Sequence, residues 1–432
     1  MDEERDVTRP DGIPTQRVGT RGVESVGASD GQLYLLQLSN NFPLNINQLQ
    51  FFFPNNLAVE DVFSHLKNIP QAQNHITIII GNDSEYQRKL HAKTKDTTNK
   101  WVAPLGYELT RLLLSQDAET VLAEILAGQL SLQQISPYRI GGGVANESLF
   151  FGRREMISQI INRDPANYLV VGGRQVGKST LLKALERRYA ENEQVVCHYL
   201  SLSNEVLVPR LASLLKLEKT VDPEVLASGL EEQIRESGQR YVFLIDEADE
   251  FIEYEKQQKY PILQVFRRLS EQGHCTFILG GFWQLYQHAV LDYQSPIRNF
   301  GELIQVAALE YEACLQLASV PMQSMQLEYA NQTILKSLVA DCGQRANLIT
   351  KTCQAIVTNL PVKQRIIEAG DVHNALHGDV VRKELTGWVI GNNEQEQHYD
   401  RLVVYATVGM RDFSTGELIT LLQDKGVKLD IA

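Results

Sequence analysis

The chain has 432 residues, well beyond the roughly 100–150 of a typical domain, so about three domains are expected. Hydrophobic residues make up 43% and charged residues 22%, as in ordinary globular proteins. A net charge of −12 excludes any global attraction to nucleic-acid backbones, so such a contact needs a local basic patch. Cys197, Cys275, Cys314, Cys342 and Cys353 stand singly with no CxxC pair, which argues against structural zinc and against a disulfide framework. The polar N-terminus lacks the apolar core of a signal peptide, and no apolar run approaches the ~18–20 residues of a membrane helix. The expected location is the cytoplasm, with no membrane partner.

In chain order, residues 1–30 are rich in charge, Gly and Thr without hydrophobic period, and read as a flexible tail. Leu33–Leu38 and Ile76–Ile80 are apolar runs expected as buried strands, the second ending in the turn signal Gly81-Asn82-Asp83. Val59–Leu66 is amphipathic, and a longer helix is expected from Asp117 onward. Together these predict a small α/β domain over 31–134. The Pro- and Gly-containing stretch 135–149 reads as a linker.

The β/α alternation then restarts. Strands are expected at Tyr168–Val171, Val195–Leu200, Tyr241–Ile245, Thr276–Leu279 and Ile304–Ala307, giving a parallel sheet flanked by helices over 150–310. After Leu309 the strand signal stops. Helical patterns dominate 311–388, and a last helical pair covers about 397–424.

The segment Asn167–Leu185 runs apolar strand, Gly-rich loop, helix. Gly172-Gly173-Arg174-Gln175-Val176-Gly177-Lys178-Ser179, followed by Thr180, fits G-x-x-x-x-G-K-[ST]. Such a loop turns backbone N–H groups inward around phosphate oxygens at the positive end of a helix. In that pattern Lys178 neutralises the β- and γ-phosphates and Ser179 ligates Mg²⁺. Arg174 holds a variable position and is expected in solvent. Further on, Arg240–Asp246 is an apolar strand ending in Asp246 and Glu247. Set beside the loop strand, Asp246 would hold Mg²⁺ through water and Glu247 would orient and deprotonate an attacking water. Asp249 and Glu250 fall at the next helix start, where negative charge is favoured. The cofactors expected are a nucleoside triphosphate and Mg²⁺.

Phe150–Ile160, the phosphate loop and Leu244–Glu250 together resemble the AAA+ and STAND branches of P-loop ATPases. Phe277–Tyr286, Ser295–Ala313 and Asp341–Ile356 carry the resemblance to bacterial STAND-type ATPases over roughly 135–425. It implies an α/β P-loop core over 150–310, a helical lid over 311–362 and a winged-helix-like region over 363–432. It also implies ATP rather than GTP. Phe151, Gly152 and Arg153 would border the adenine, and residues 343–349, with Arg345, would reach back to the phosphates. Ala346 stands where the family usually has Pro, and the strand ending at Gly280-Gly281 lacks the polar sensor of many AAA+ proteins. Arg298 lies where AAA+ proteins often carry an arginine finger for a neighbour's γ-phosphate; pairing with Glu302 is the alternative.

At the C-terminus, Ser414 to Glu417 forms a capping-box signature and Gly426 a stop, with too few residues after it for a full winged helix. Arg88, Lys89, Lys93, Lys95 and Lys100 form the best basic patch, although Asp96 interrupts it. His75, His91, Asp83 and Glu85 lie near it without a recognisable chemical motif.

The expected function is an ATP-binding, slowly hydrolysing STAND-type switch. Its nucleotide state would control conformation and self-association, as a homo-oligomer or as a subunit of a larger complex. By the resemblance, such switches serve signalling or antiviral defence. The alternative is an AAA+ ATPase acting on DNA in replication or transposition.

Overall fold

The computed structural model describes residues 24–28, 30–70, 74–94, 100–138, 147–163, 165–202, 206–216, 222–389, 394–407, 410 and 413–427. Most of the expected tail and residues 139–146 of the expected linker lie outside these.

The first sheet contains β1 (Glu24–Ala28), β2 (Gly31–Gln37), β3 (Gln48–Pro54), β4 (Ile76–Ile79) and β5 (Trp101–Val102) in sequential order. The pairs β1–β2 and β2–β3 are antiparallel, whereas β3–β4 and β4–β5 are parallel. The tail expectation therefore extends too far, because Glu24–Ala28 pairs along its whole length with β2. Alternation divides the faces. Leu33, Phe52 and Ile79 pack under α1 (Val59–Asn68) and α2 (Ser84–Thr94). Leu49, Ile78 and Val102 face the other way, toward α4 (Ala118–Gln129) and α5 (Leu132–Ile135), with α3 (Gly106–Leu114) alongside.

The second sheet is wholly parallel, in the order β10-β6-β9-β8-β7. Its strands are β6 (Tyr168–Val171), β7 (Val195–Ser201), β8 (Arg240–Asp246), β9 (Cys275–Gly281) and β10 (Glu302–Gln305). Every residue of β6 and β9 is buried, as expected of apolar runs covered on both faces. Here the structure corrects the sequence reading: the strand carrying Asp246 is separated from the loop strand by β9.

Helices α6 (Arg154–Ile161), α7 (Lys178–Ala190), α8 (Leu207–Leu214), α9 (Pro223–Ser237), α10 (Asp249–Gln257) and α11 (Pro261–Glu271) surround this sheet. Local chemistry sets their ends. Asp222 caps α9 by accepting from Glu224 N at 2.9 Å, Pro223 opens it, and Gly238 closes it at φ +64°. Phe277 stacks between Phe243 and Phe266, with ring centroids 5.4 and 4.0 Å away, joining two strands to α11.

The remaining chain is helical: α12 (Tyr311–Ser324), α13 (Gln332–Asp341), α14 (Ala346–Asn359), α15 (Ala369–Leu376), α16 (Asp379–Val389), α17 (Glu394–Thr407) and α18 (Thr415–Asp424). Two-residue strands at Glu328–Tyr329 and Ile366–Ile367 pair with each other. Ser414 and Glu417 make the expected reciprocal cap of α18.

The N-terminal unit and this helical region share one hydrophobic core. Phe42, Leu44, Leu126 and Ile135 belong to the same buried cluster as Leu317, Met322, Leu338 and Ile356. Tyr138 Oη donates to Leu317 O at 3.0 Å, Gln133 Nε2 to Thr358 O at 3.2 Å, and Gln326 Nε2 to Glu124 O at 2.9 Å. Residues 135–138, expected as the start of a linker, are therefore buried anchors. Val372, Ala375 and Val381 join that cluster too, so it continues past residue 362.

Candidate nucleotide site

The loop between β6 and α7 takes its shape from a few backbone positions. Gly172 passes so close to β10 that a Cβ there would lie 2.5 Å from Val306 O. Gly177 adopts φ +100° and caps α7, and Gln175, which is not glycine, adopts φ +61°. Lys178 is the first residue of α7, so Ser179 and Thr180 also lie in its first turn, where backbone N–H groups lack helical partners. Lys178 Nζ turns back onto its own loop, donating to Gly172 O at 2.9 Å and Gly173 O at 2.7 Å. Burial lowers its pKa, opposed by the charges of Asp246, Asp249 and Glu247.

β9 separates β8 from the loop strand, yet Asp246 still comes close to α7. Gly280 of β9 lacks a side chain, and a Cβ there would lie 2.8 Å from Leu182 Cδ1 and 3.3 Å from Asp246 Oδ1. Asp246 is buried, accepting from Tyr199 Oη at 2.8 Å and from Glu247 N at 3.0 Å. Glu247 is exposed, at φ +58°, and accepts from Ser201 Oγ at 3.4 Å. Tyr199 and Ser201 sit two residues apart at the end of β7, with Ser201 in register with Asp246. Burial, then the Asp246 carboxylate, pushes the Tyr199 hydroxyl far above its ordinary pKa, so it remains a donor.

Sequence reasoning missed Tyr199 and Ser201, although their alternate spacing at a strand end was visible. It also missed Phe282, whose ring lies 5.8 Å from both Lys178 Nζ and the Arg174 guanidinium. This aromatic follows directly after the strand end that lacks a polar sensor. Asp249 does more than charge a helix start. Its carboxylate accepts from Phe282 N, Gln284 N and Leu285 N, fixing the turn that holds Phe282.

Phe151 and Gly152 line a cavity of about 450 Å³ with Phe150, Arg154 and Gln316. Arg153 is placed differently from an adenine border. It is buried, with its guanidinium donating to Ala307 O at 2.6 Å, Ala308 O at 3.2 Å and Val176 O at 3.2 Å. It braces the phosphate loop against the chain after β10.

Arg298 stacks on Tyr293, 4.0 Å from the ring centroid, while Glu302 pairs with Arg163 at 3.4 Å. The pairing of Arg298 with Glu302 is thus replaced by stacking. Arg298 precedes the N-terminal end of β10, a strand length of about 13 Å from the edge where the loop follows β6. Arg345 precedes α14 and is exposed. Two residues on, Asn347 Nδ2 donates to Gln175 Oε1 at 2.6 Å.

In the N-terminal unit, Asp83 caps α2 through Glu85 N and Tyr86 N, and His91 Nδ1 meets Ala103 O at 2.8 Å. Lys89 pairs with Glu85 and Lys93 with Glu60, so carboxylates offset much of this basic run; Lys95 and Asp96 lie outside the described residues. Among the described residues no helix is long and apolar enough to cross a membrane.

Residues 161–287 match the family described as AAA domain. This stretch is an AAA domain with the fold of P-loop ATPases. Solved structures similar to the chain include a Walker-type ATPase of Pyrococcus abyssi, at 15% identity and TM-score 0.45, covering 68% of this chain and 95% of that one. The ORC1 protein of Aeropyrum pernix in complex with DNA is 12% identical, with TM-score 0.39 and 66% and 81% coverage. The RuvB Holliday junction branch migration motor of Thermotoga maritima is 15% identical, with TM-score 0.38 and 64% and 83% coverage. No curated protein matches the chain. The AAA domain thus contains the phosphate loop, Tyr199, Asp246 and Glu247, whereas Asn347 and Arg345 come from outside it.

The donor set fits a magnesium–nucleotide pair. Among the described residues no cluster of three His, Cys, Asp or Glu side chains could hold a metal alone. One buried carboxylate and one hydroxyl suit an ion that keeps waters and phosphate oxygens as its other ligands.

Proposed function

We propose that this protein is an ATP-operated switch of the STAND type, in which nucleotide bound at the AAA domain sets the position of the helical lid. One observation supports this reading above others: the lid touches the phosphate loop through Asn347 and shares its hydrophobic core with the N-terminal unit. Whatever moves the lid moves that unit.

In this reading the N–H groups of 173–180 and the Lys178 ammonium hold the phosphates, once the lysine leaves the Gly172 and Gly173 carbonyls. Phe151 and Gly152 border the adenine. Ser179 and Asp246 would hold Mg²⁺, which when bound neutralises phosphate charge. Glu247 orients a water and accepts its proton as the water oxygen bonds to the γ-phosphorus and the ADP oxygen leaves. Arg298 lies before the N-terminal end of β10, a strand length away from its own loop, and would serve a neighbouring subunit. A near-complete flip between lid positions requires about 5.5 kcal/mol of differential nucleotide affinity. A switch with this role serves signalling or defence, and needs slow hydrolysis.

Solution mass measured with MgADP and with a non-hydrolysable ATP analogue tests the reading. The switch predicts a monomer with MgADP and a defined oligomer with the analogue. Identical masses at saturating nucleotide would contradict nucleotide-controlled self-association.

A further inference from the structure

Gln175 is a non-glycine residue held in the left-handed region at the tip of the phosphate loop, and its side chain leaves the AAA domain to meet the lid. Its partner Asn347 is the second residue of α14, behind a turn in which Gly343 and Gln344 both have positive φ. Leu309 N donates to Gln344 O at 3.1 Å, tying that turn to the chain leaving the second sheet. The α14 start is therefore fixed close to the loop.

The Asn347 amide has two N–H groups, and both have acceptors. One goes to Gln175 Oε1 at 2.6 Å, the other to Glu384 Oε1 of α16 at 3.0 Å. The second oxygen of Glu384 is held by Lys351 of α14, and the two charged side chains are only 11% and 13% exposed. A pair this sheltered holds its geometry firmly, since separating it strands a charge away from water. Asn347 thus joins a phosphate-loop residue held in the left-handed region to a sheltered, ion-paired carboxylate.

We propose that Asn347 is the positioning residue through which the lid senses the phosphate loop, passing the loop's state to α16 through Glu384. The inference rests on nucleotide binding at 172–180. Phosphate binding draws the loop N–H groups inward and frees Lys178 from Gly172 and Gly173, and Gln175 lies in the middle of the segment that must adjust. If Asn347 follows Gln175 it leaves Glu384, and if it stays it loses Gln175. Either way α16 experiences a changed contact with α14.

Hydrogen exchange of residues 379–389 in the full chain tests this, without nucleotide and with a non-hydrolysable ATP analogue at a concentration saturating for each variant. In the native protein the analogue should change exchange in this segment about tenfold, the size expected for one hydrogen bond to a charged group. Asn347→Ala should abolish that nucleotide dependence. Gln175→Ala breaks the same link from the loop side and leaves the lid sequence intact; it should give the same loss even if Asn347→Ala loosens the lid. A native-sized nucleotide response in both variants would overturn the proposal, as would a native protein that binds the analogue with no response at 379–389. Failure of the native protein to bind the analogue at all, seen in the accompanying titration, would instead remove the nucleotide reading and this inference with it.

Discussion

Asp246 and Glu247 are adjacent in sequence and opposite in setting. Asp246 is buried under Tyr199, while Glu247 is exposed in a left-handed conformation that costs a non-glycine residue on the order of 1 kcal/mol. This difference suits a carboxylate that holds an ion and one that meets water. Tyr199→Phe removes a donor that orients Asp246 without touching the loop. Because partners of metal-holding groups typically contribute 10–100-fold, the Mg²⁺ concentration for half-maximal hydrolysis should rise about tenfold or more. A Mg²⁺ titration of hydrolysis checks this, and an unchanged midpoint would remove Tyr199 from the site.

The cysteines make a second prediction at this scale. Burial pushes Cys197, Cys275, Cys314 and Cys353 up to about 12 and Cys342 to about 11, from an ordinary 9.0. Their raised folded values mean that the native state keeps protons the unfolded chain loses. Stability is fully present below about pH 9 and declines as pH rises toward 11–12. Denaturant midpoints across that window should fall, and thiol reagents at pH 8 should label the four buried cysteines, Cys275, Cys314, Cys342 and Cys353, only after unfolding.

At the scale of elements, Tyr138 ties the start of the expected linker to α12. It is 2% exposed and bonded to the α12 backbone, so Tyr138→Ala should cost about 3–5 kcal/mol. The loss should appear as faster hydrogen exchange in α4 and α12 together, with the strands β6, β8 and β9 unaffected. Loss confined to α4 would mean that the two regions are separately stable.

The central strands β6, β8 and β9 were legible because they are nearly unbroken apolar runs, as burial on both faces demands. The phosphate loop was legible because few residues permit its backbone. Strand order was not, since nothing in Arg240–Asp246 records that Cys275–Gly281 inserts beside it. Gln48–Pro54 escaped notice because its Phe51-Phe52-Phe53 run lies against a Gln-rich flank and shows no clean alternation. Tyr138 read as linker because its neighbours are Pro and Gly, and burial arises from a partner 179 residues away. The role of Asn347 depends on an equally remote contact, 172 residues from Gln175.

For the whole molecule, one core joins the N-terminal unit to the C-terminal helical region, and one polar chain joins that region to the phosphate loop. In the proposed switch, the AAA domain would sit at one end of a connection whose other end is the N-terminal α/β unit. That account stands on nucleotide entering the loop and Glu247 acting on it. The most direct test is equilibrium binding of a fluorescent ATP analogue together with single-turnover hydrolysis, on the native chain, Lys178→Ala and Glu247→Gln. The account predicts binding by the native chain and by Glu247→Gln, loss of binding in Lys178→Ala, and hydrolysis in the native chain alone. Equal binding by Lys178→Ala, or native-rate hydrolysis by Glu247→Gln, would contradict it.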